Sequence, residues 1–412
     1  MSSSLNVEQL TSRPSAGKSH FAILLFLSMA LMAALLNSSA PTPLYPLYQQ
    51  HLGLKAISLT IIYGAYAGGV LISLLGIGNV AGRITDLRRV ILPALLIVFC
   101  GALLFSLADT FWLLFFARLL AGVGTGALTG AANIALLRFG PQDSGKIAAL
   151  IATVSFTTGL ALGPIFSGIA LQTGFHPTTL PFMIIMGLVA IAMAGVTLNW
   201  PLSEKVSLTP LSSEPLHGGD TSLKSGLKAT GAKFVLCALA LFTCWGVAAS
   251  MLSLGPNVAE RLLGLHNRGV FGYVIAAYLS IAGISQILSR GINARHSLIV
   301  GCLMQALSVI IFSAAIAWHS LALAAVGIVI GGYAYGAIFV GSATLLNRIS
   351  PKASHARLIS LFYVIAYVGN WVPILLGKVI DSGGLLLASH LLFTLSTLTC
   401  LILAFSVTKT DF

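Results

Sequence analysis

The chain has 412 residues, of which 57% are hydrophobic and only 8% are charged, and its mean hydropathy is +0.97. Because soluble globular domains carry about a quarter charged residues, this composition excludes a water-exposed surface over most of the chain. The net charge of +12 comes from 22 Lys and Arg against 10 Asp and Glu. In a membrane protein such an excess reflects which loops face the cytoplasm. We therefore expect the lipid bilayer as a partner and no binding of nucleic acid.

Continuous apolar segments, each about as long as the ~20 residues that a spanning helix needs, succeed one another along the chain. Barrel strands would instead alternate apolar and polar residues. The pattern therefore predicts an all-α membrane protein with twelve transmembrane helices. We place them at residues 20–40, 57–80, 90–108, 111–138, 144–172, 179–198, 233–254, 268–289, 296–317, 320–347, 353–382 and 386–408.

The long polar interruption after the sixth span divides the chain into two six-helix bundles. We expect an N-terminal cytoplasmic tail at 1–19, the first bundle at 20–199, a cytoplasmic linker at 200–232 and the second bundle at 233–412. The Ser- and Gly-rich linker is typical of a flexible connection, although its leucines would also suit a helix on the membrane surface.

The basic residues indicate how the chain is oriented. Seventeen of the 22 Lys and Arg fall in one set of alternating loops and tails, and four fall in the other. The positive-inside rule then predicts cytoplasmic N- and C-termini. The compact loops favour a plasma membrane, namely the inner membrane of a bacterium, and we expect a monomer.

An internal repeat relates the two bundles. Gly122 and Gly126 recur 210 residues later as Gly332 and Gly336, and Pro164 recurs 209 residues later as Pro373. Two homologous bundles with a site between them are the architecture of many membrane transporters.

A charged motif joins the second and third spans, where residues 78–89 read GNVAGRITDLRR. Asp86 could pair with Arg88, Arg89 or Arg138 of the next cytoplasmic loop, and Gly82 lies within the same motif. Such a pair would hold the cytoplasmic face closed while the opposite face is open. The alternative is a solvated charge cluster that only fixes topology.

Arg118 is the one ionised side chain predicted well inside a span, in the segment RLLAGVGTG. With the fourth span beginning near Phe111, it lies about 10 Å into the core at 1.5 Å per residue. Such a charge costs roughly 2.5–3.5 kcal/mol even on the lenient insertion scale, which makes it a candidate functional residue. It could bind an anionic substrate or extend towards the membrane surface.

The fifth span carries small residues at regular spacing in the segment GLALGPIFSG at 159–168. Gly159, Gly163 and Gly168 would let neighbouring helices approach closely, and Pro164 would bend the helix where the bundles rock. Ordinary tight packing between helices is the alternative interpretation.

These three segments resemble motifs of the Major Facilitator Superfamily, and the third is similar to the motif of its twelve-helix drug/proton antiporter branch. The loop motif is about two residues shorter than the family pattern. The resemblance implies alternating access in the major facilitator fold, with efflux of small organic molecules and protons as a candidate exchanged ion. It also implies that Arg118 bonds backbone carbonyls and influences proton movement. An importer or facilitator of a small organic anion bound by Arg118 is the alternative.

In this family the first, fourth, seventh and tenth spans face the centre, which selects polar and aromatic residues for a substrate site. Each alone is more often a packing residue or an interfacial anchor. The candidates on these and adjacent spans are Arg118, Asn37, Tyr66, Asn133, Trp245, Tyr333, Tyr335, Asn370 and Trp371.

The ten acidic residues all fall in loops, tails or helix ends, so the central spans offer no carboxylate for proton coupling. Asp109 and Glu260, at helix boundaries, are the coupling candidates, and the substrate's own proton is another. We expect no cofactor, no metal and no enzyme activity. The glycine clusters lack the Gly-Lys-Ser/Thr ending of a phosphate loop, and the spans lack the constellation of an intramembrane hydrolase.

Overall fold

The computed structural model describes residues 16–77, 86–141, 145–200 and 222–411, with side chains described at 21–76 and throughout the later ranges. Within these ranges the chain is all helical, without strands. The helices are α1 (Ala16–Ser39), α2 (Tyr45–His51), α3 (Ala56–Ile77), α4 (Arg88–Ser106), α5 (Phe111–Phe139), α6 (Lys146–Thr173), α7 (Leu180–Asn199), α8 (Leu223–Thr230), α9 (Ala232–Arg261), α10 (Arg268–Ser289), α11 (Ala294–Ala317), α12 (Leu321–Ile349), α13 (His355–Gly369), α14 (Val372–Gly383) and α15 (Leu385–Lys409).

Twelve segments of the described chain are long and apolar enough to cross a membrane, which confirms the predicted number. α1 and α2 together form the first span, α13 and α14 together form the eleventh, and α8 is too short to be a span. Because twelve is even, both chain termini lie on one side of the membrane, which we call the terminal side. The opposite side, which carries the loops at 52–55, 107–110, 174–179, 262–267 and 318–320, is the far side.

The helices form two bundles, as predicted. In the first, α1 packs on α5, α6 and α7, while α4 packs on α5 and α7. In the second, α11 packs on α12 and α15, and α9 packs on α12 and α13. The most extensive contacts between the bundles are those of α6 with α10 and of α3 with α14. Most of the predicted linker and of the N-terminal tail lies outside the described residues.

The first span extends further than the sequence predicted. α1 ends at Ser39, a 3₁₀ turn covers Thr42–Leu44, and α2 carries the span on to His51. Pro41 and Pro43 lie two residues apart and neither has an N–H to donate, so together they disfavour continuation of the α-helix. The predicted end near residue 40 is therefore the position of a break inside the span.

The two prolines related by the repeat act differently. Pro164 lies inside α6, which remains one helix. Pro373 stands in the first turn of α14, after the break that separates α14 from α13. At this break the Asn370 side-chain amide donates to the carbonyl of Tyr367 at 3.3 Å, a local bond that competes with helix continuation.

Candidate functional site

Arg118 lies deep in the first bundle, with 2% of its surface exposed. Its Nη1 donates to the backbone carbonyl of Ser38 on α1. Its guanidinium carbon lies 5.2 Å from the ring centres of both Tyr63 and Tyr66, and 5.9 Å from that of Tyr45. Aromatic faces attract cations through their negative quadrupole. A carbonyl and three rings therefore stabilise this charge.

The break in the first span explains why polar side chains are needed here. A helix end leaves carbonyl groups without intrahelical donors. Arg118 donates a hydrogen bond to the carbonyl of Ser38, and the Ser167 hydroxyl of α6 donates one to the carbonyl of Ala40 at 2.7 Å. Two neighbouring helices thus hold the ends of the broken helix.

Four of the predicted substrate residues carry a buried polar atom that lacks a hydrogen-bond partner among the described residues. These atoms are Asn37 Oδ1, Arg118 Nε, Asn133 Oδ1 and Trp245 Nε1. Such atoms are rare in folded proteins and are satisfied by water or a ligand. Asn37 is fully buried inside the first bundle, where its amide donates to the carbonyl of Val98 at 3.4 Å.

Aromatic side chains of the second bundle form a cluster that reaches the Arg118 surroundings. The Trp245 ring stacks on Phe339 at 6.4 Å and meets Tyr367 edge-on at 4.9 Å. Tyr367 lies near Tyr66 of the first bundle, and Tyr335 lies near Tyr367. The structure therefore brings Arg118, Tyr66, Trp245 and Tyr335 together, although they come from four different helices.

Two other candidates lie apart from this group. Tyr333 shares a face of α12 with Val326 and Val329, which are both exposed on the outer surface of the bundle. Asn133 shares a face of α5 with Arg118 but lies fifteen residues further towards the terminal side, about 22 Å at 1.5 Å per residue.

Trp371 joins the two bundles directly. Its indole Nε1 donates to the backbone carbonyl of Gly64 on α3 at 3.1 Å. Asn370, its neighbour at the break in the eleventh span, bonds within its own helix.

Asp381, which the sequence did not single out, links the two bundles on the far side. Its carboxylate oxygens accept the backbone N–H groups of Ala56 at 3.0 Å and Ile57 at 3.1 Å. These are among the first N–H groups of α3, which have no partner inside the helix. One turn earlier in α14, a Cβ on Gly377 would lie 2.5 Å from the Thr60 hydroxyl. Nothing local in the sequence connects positions 325 residues apart.

The glycine motif of α6 faces two neighbours at once. Gly159 and Gly163 pack against backbone carbonyls of α1. Pro164 and Gly168 pack against α10 of the other bundle, where a Cβ on Gly168 would lie 2.6 Å from the carbonyl oxygen of Gly269. The motif therefore lies between the broken first span and the second bundle.

The charged motif on the terminal side forms a local ion pair. Arg88 Nη2 lies 3.0 Å from Asp86 Oδ2, and the Arg88 guanidinium carbon lies 5.7 Å from the Trp200 ring centre. This hydrogen-bonded guanidinium lowers the pKa of Asp86 below its ordinary value. Of the other predicted gating residues, Arg89 is exposed, Arg138 lies in the last turn of α5, and Gly82 lies outside the described residues.

Both coupling candidates lie on the far side. Asp109 is exposed in the loop before α5. Glu260 pairs with Arg268, with Arg268 Nη2 2.8 Å from Glu260 Oε1, and both side chains are about one quarter exposed. Neither contacts the group around Arg118 in the part of the chain that the structure describes.

Comparison with known proteins shows which protein family shares this architecture. A family model described as Major Facilitator Superfamily matches residues 27–373. No curated protein matches the chain significantly.

Solved structures match over nearly the whole chain at low identity. A bacterial homologue of the human lysosomal transporter Spinster, in an inward-facing and unoccupied conformation, has a TM-score of 0.70 at 14% identity and covers 97% of this chain and 98% of its own. A POT family transporter in complex with a thioalcohol-conjugated peptide has a TM-score of 0.75 at 16% identity, covering 94% and 96%. The nucleoside transporter NupG has a TM-score of 0.69 at 12% identity, covering 95% and 98%. These similarities show the fold.

Proposed function

The chain belongs to the Major Facilitator Superfamily, and we propose that it is a secondary active transporter that exports small organic molecules by alternating access. That it is a multi-pass membrane transporter, and not an enzyme, follows from the family and from the fold of its structural neighbours. The class of substrate, the direction of transport and the coupling to an ion are our proposals.

The observation that carries the proposal is the group of residues around Arg118, which both bundles build. Tyr66 and Tyr367 lie near each other across the boundary between the bundles, and Trp245 packs on Tyr367. Among the described residues, Arg118 Nε and Trp245 Nε1 have no hydrogen-bond partner. Apolar rings with a few unsatisfied polar atoms suit an amphipathic organic molecule.

The contacts between the bundles support a state that is closed to the far side. Asp381 and Trp371 both bond α3 in its far half, at Ala56 and Gly64. In alternating access these bonds would break when the far side opens. Asp86 with Arg88, and the neighbouring Arg89 and Arg138, would act on the terminal side in the opposite state.

Export is the direction favoured by the resemblance of the glycine motif of α6 to the motif of the drug/proton antiporter branch. Its residues Gly159 and Gly163 pack on the broken first span, while Pro164 and Gly168 pack on α10. One element thus contacts both the helix that Arg118 holds and the bundle that must move. We further propose that the terminal side is cytoplasmic, that the membrane is a bacterial inner membrane and that the transporter works as a monomer.

Protons are the proposed exchanged ion, with Asp109 and Glu260 as the candidate groups. Both lie on the far side, where a proton would enter from outside the cell. The substrate's own ionisable group is the other route.

A second candidate function is import or facilitated movement of a small organic anion. It is favoured by Arg118, whose charge is matched by a carbonyl and aromatic rings, and whose bonds in the described ranges include none to a carboxylate. An anion could satisfy Nε.

Transport into sealed vesicles distinguishes these functions. Wild type, Arg118→Ala and Arg118→Lys would be compared with and without an imposed pH gradient, over a panel of organic anions and lipophilic cations. Gradient-driven export of cations or neutral molecules would support the antiporter. Gradient-independent movement of anions that Arg118→Ala abolishes, and Arg118→Lys partly retains, would overturn it in favour of the second function.

A further inference from the structure

A cavity of about 230 Å³ lies inside the second bundle, apart from the Arg118 surroundings. Helices α9, α10, α11, α12, α14 and α15 all contribute to its wall. Its inner end is formed by Ser250 and Tyr278, near the middle of α9 and α10. Its other end reaches Leu263 and Leu265 in the far-side loop after α9, and Leu385 at the start of α15. The cavity therefore runs from the middle of the bundle towards the far side.

The wall of the cavity is almost entirely hydrocarbon, and none of its described lining residues is charged. Two of its few polar groups are already used within their own helices. The Ser250 hydroxyl donates to the Gly246 carbonyl at 2.7 Å, and the Ser389 hydroxyl donates to the Leu385 carbonyl at 2.9 Å. A buried water needs two to four polar partners, and an apolar cavity of about 150 Å³ stays dry and binds benzene. The wall here suits an uncharged apolar group rather than water.

The internal repeat provides a direct comparison between the bundles. In the first bundle Phe105 of α4 stacks on Phe182 of α7, with ring centres 4.8 Å apart, planes 8° apart and both side chains fully buried. In the second bundle the corresponding helices carry Phe312 and Phe393, whose ring centres are 6.2 Å apart and whose planes differ by 21°. Phe312 and Phe393 also line the cavity. The same kind of pair is therefore looser where the cavity lies.

The first span accounts for the difference. In the first bundle, Leu44, Tyr45 and Tyr48 of the segment after the break belong to the same buried core as the tightly stacked pair. In the second bundle the corresponding helix, α9, continues unbroken to Arg261. It therefore has no separate segment after a break that could fill the space. Protein interiors contain few voids larger than a water molecule, so an apolar space of this size in the second bundle indicates an occupant.

We propose that the second bundle holds a binding site for one uncharged hydrocarbon chain, supplied either by a membrane lipid or by a lipophilic solute. The occupant would lie beside the central group, because Tyr278 at the inner end of the cavity meets Tyr335 edge-on with ring centres 6.3 Å apart. The inference concerns binding alone and does not depend on the proposed direction of transport.

Photolabelling of the full chain in lipid nanodiscs tests this site. One arm uses a phospholipid with a diazirine in its acyl chain, and the other uses a diazirine-bearing long-chain alcohol in unlabelled lipid. In at least one arm we expect labels at the cavity residues Met251 and Phe393, in addition to lipid-facing residues such as Val329. The arm that labels them identifies the source of the chain. Labels confined to lipid-facing residues in both arms would overturn the inference.

Variants that fill the cavity provide a second test. Ala324→Phe and Ala388→Phe place a ring in the wall from two different helices, and Val329→Phe adds the same ring on the lipid-facing side of α12 as a control. We expect either filled variant to lose labelling at Met251, while the control retains it. Labelling at Met251 that persists in a filled variant with wild-type thermal stability would contradict the site. If neither variant folds, the labelling pattern of the wild type alone tests the proposed site.

Discussion

Arg118 holds a positive charge inside the first bundle with a backbone carbonyl and three tyrosine rings as its partners. The carbonyl is free because the helix that would have used it ends at Ser39. The break and the charge therefore stabilise each other. An Arg at this depth needs acceptors, and a broken helix needs donors.

Ser167 allows the broken helix to be tested without altering a charge. Ser167→Ala should lower the free energy of unfolding by about 1–3 kcal/mol, because the Ala40 carbonyl is left buried without its donor. Ser253→Ala is the matched control. Its hydroxyl is equally buried but donates to the Ala249 carbonyl, within its own helix. Thermal unfolding in detergent should show the larger loss for Ser167→Ala, and equal losses would contradict the role of Ser167 at the break.

The ion pair between Asp86 and Arg88 predicts a pH dependence of stability. Because the folded-state pKa of Asp86 lies below its ordinary value of 3.8, the pair stabilises the fold above that value. The contribution is lost as the pH falls through the lowered pKa. We expect the stability difference between wild type and Asp86→Asn to be small and constant near neutral pH and to shrink below about pH 4. Unfolding midpoints from neutral pH down to about pH 3 measure it, and a difference that grows on acidification would have the wrong sign.

At the scale of helices, close backbone contacts join the two bundles. Gly168 of α6 approaches a carbonyl of α10, and Gly377 of α14 approaches α3. A side chain at either position would force the helices apart. These contacts are where a rocking motion between the bundles must be accommodated.

Gly168→Val should slow transport by at least about tenfold, equal to about 1.4 kcal/mol in the barrier, because the added carbons meet the backbone of the other bundle. Gly187→Val on α7 is the control, since nothing lies within 4 Å of a Cβ added there. Initial transport rates in vesicles with equal amounts of folded protein provide the comparison. A Gly168→Val rate equal to that of the control would show that the close contact is dispensable.

Asp381 predicts the behaviour of the far-side contact between α14 and α3. Asp381→Asn weakens the two hydrogen bonds that the side chain accepts from the start of α3. Losing a helix cap costs about 0.5–2 kcal/mol. The equilibrium should therefore shift towards an open far side by about two- to thirtyfold. Spin labels at residues 52 and 382 would report this as a larger population of long distances.

The control for this change is Arg261→Gln, which removes an exposed charge on the same side of the membrane. It should leave the distance distribution of the wild type unchanged. Identical distributions for Asp381→Asn and the wild type would mean that the carboxylate does not hold the far side closed.

At the scale of the whole molecule, the distribution of basic residues predicts the orientation in the membrane. A membrane-impermeant maleimide should label Lys55→Cys on intact cells, because this residue lies in a far-side loop. It should label Lys352→Cys, in a terminal-side loop, only after the membrane is permeabilised. The reverse pattern would place the termini outside and would invert the proposed direction of transport.

The bundles share one plan but differ in how their far halves are filled. The first encloses the segment after the break at Ser39, whereas the second keeps an unbroken α9 and a cavity. The far halves of the two bundles therefore differ in packing although the bundles are related by a repeat. The break also lies beside Arg118, so the unequal filling and the buried charge have the same origin.

The sequence by itself determined the twelve spans, the two-bundle plan and the deep position of Arg118. These depend on local hydropathy, on glycine and proline spacing and on the cost of charge in lipid, none of which requires knowledge of distant contacts. The same local information identified Tyr333 and Tyr335 as equal candidates, because both are tyrosines of the tenth span. It ended the first span near residue 40, because prolines stop a helix but do not reveal whether a second helix completes the span.

Only the tertiary structure decided the rest. In the structure Tyr335 faces the central group and Tyr333 faces the outer surface. Side chains two positions apart on an α-helix point about 200° apart around its axis. The tertiary structure set Asp381 against the start of α3, 325 residues away. It also left an apolar cavity beside Phe312 and Phe393 in the second bundle. Each of these depends on how helices distant in sequence pack together, and packing is a property of the assembled bundles that no single segment contains.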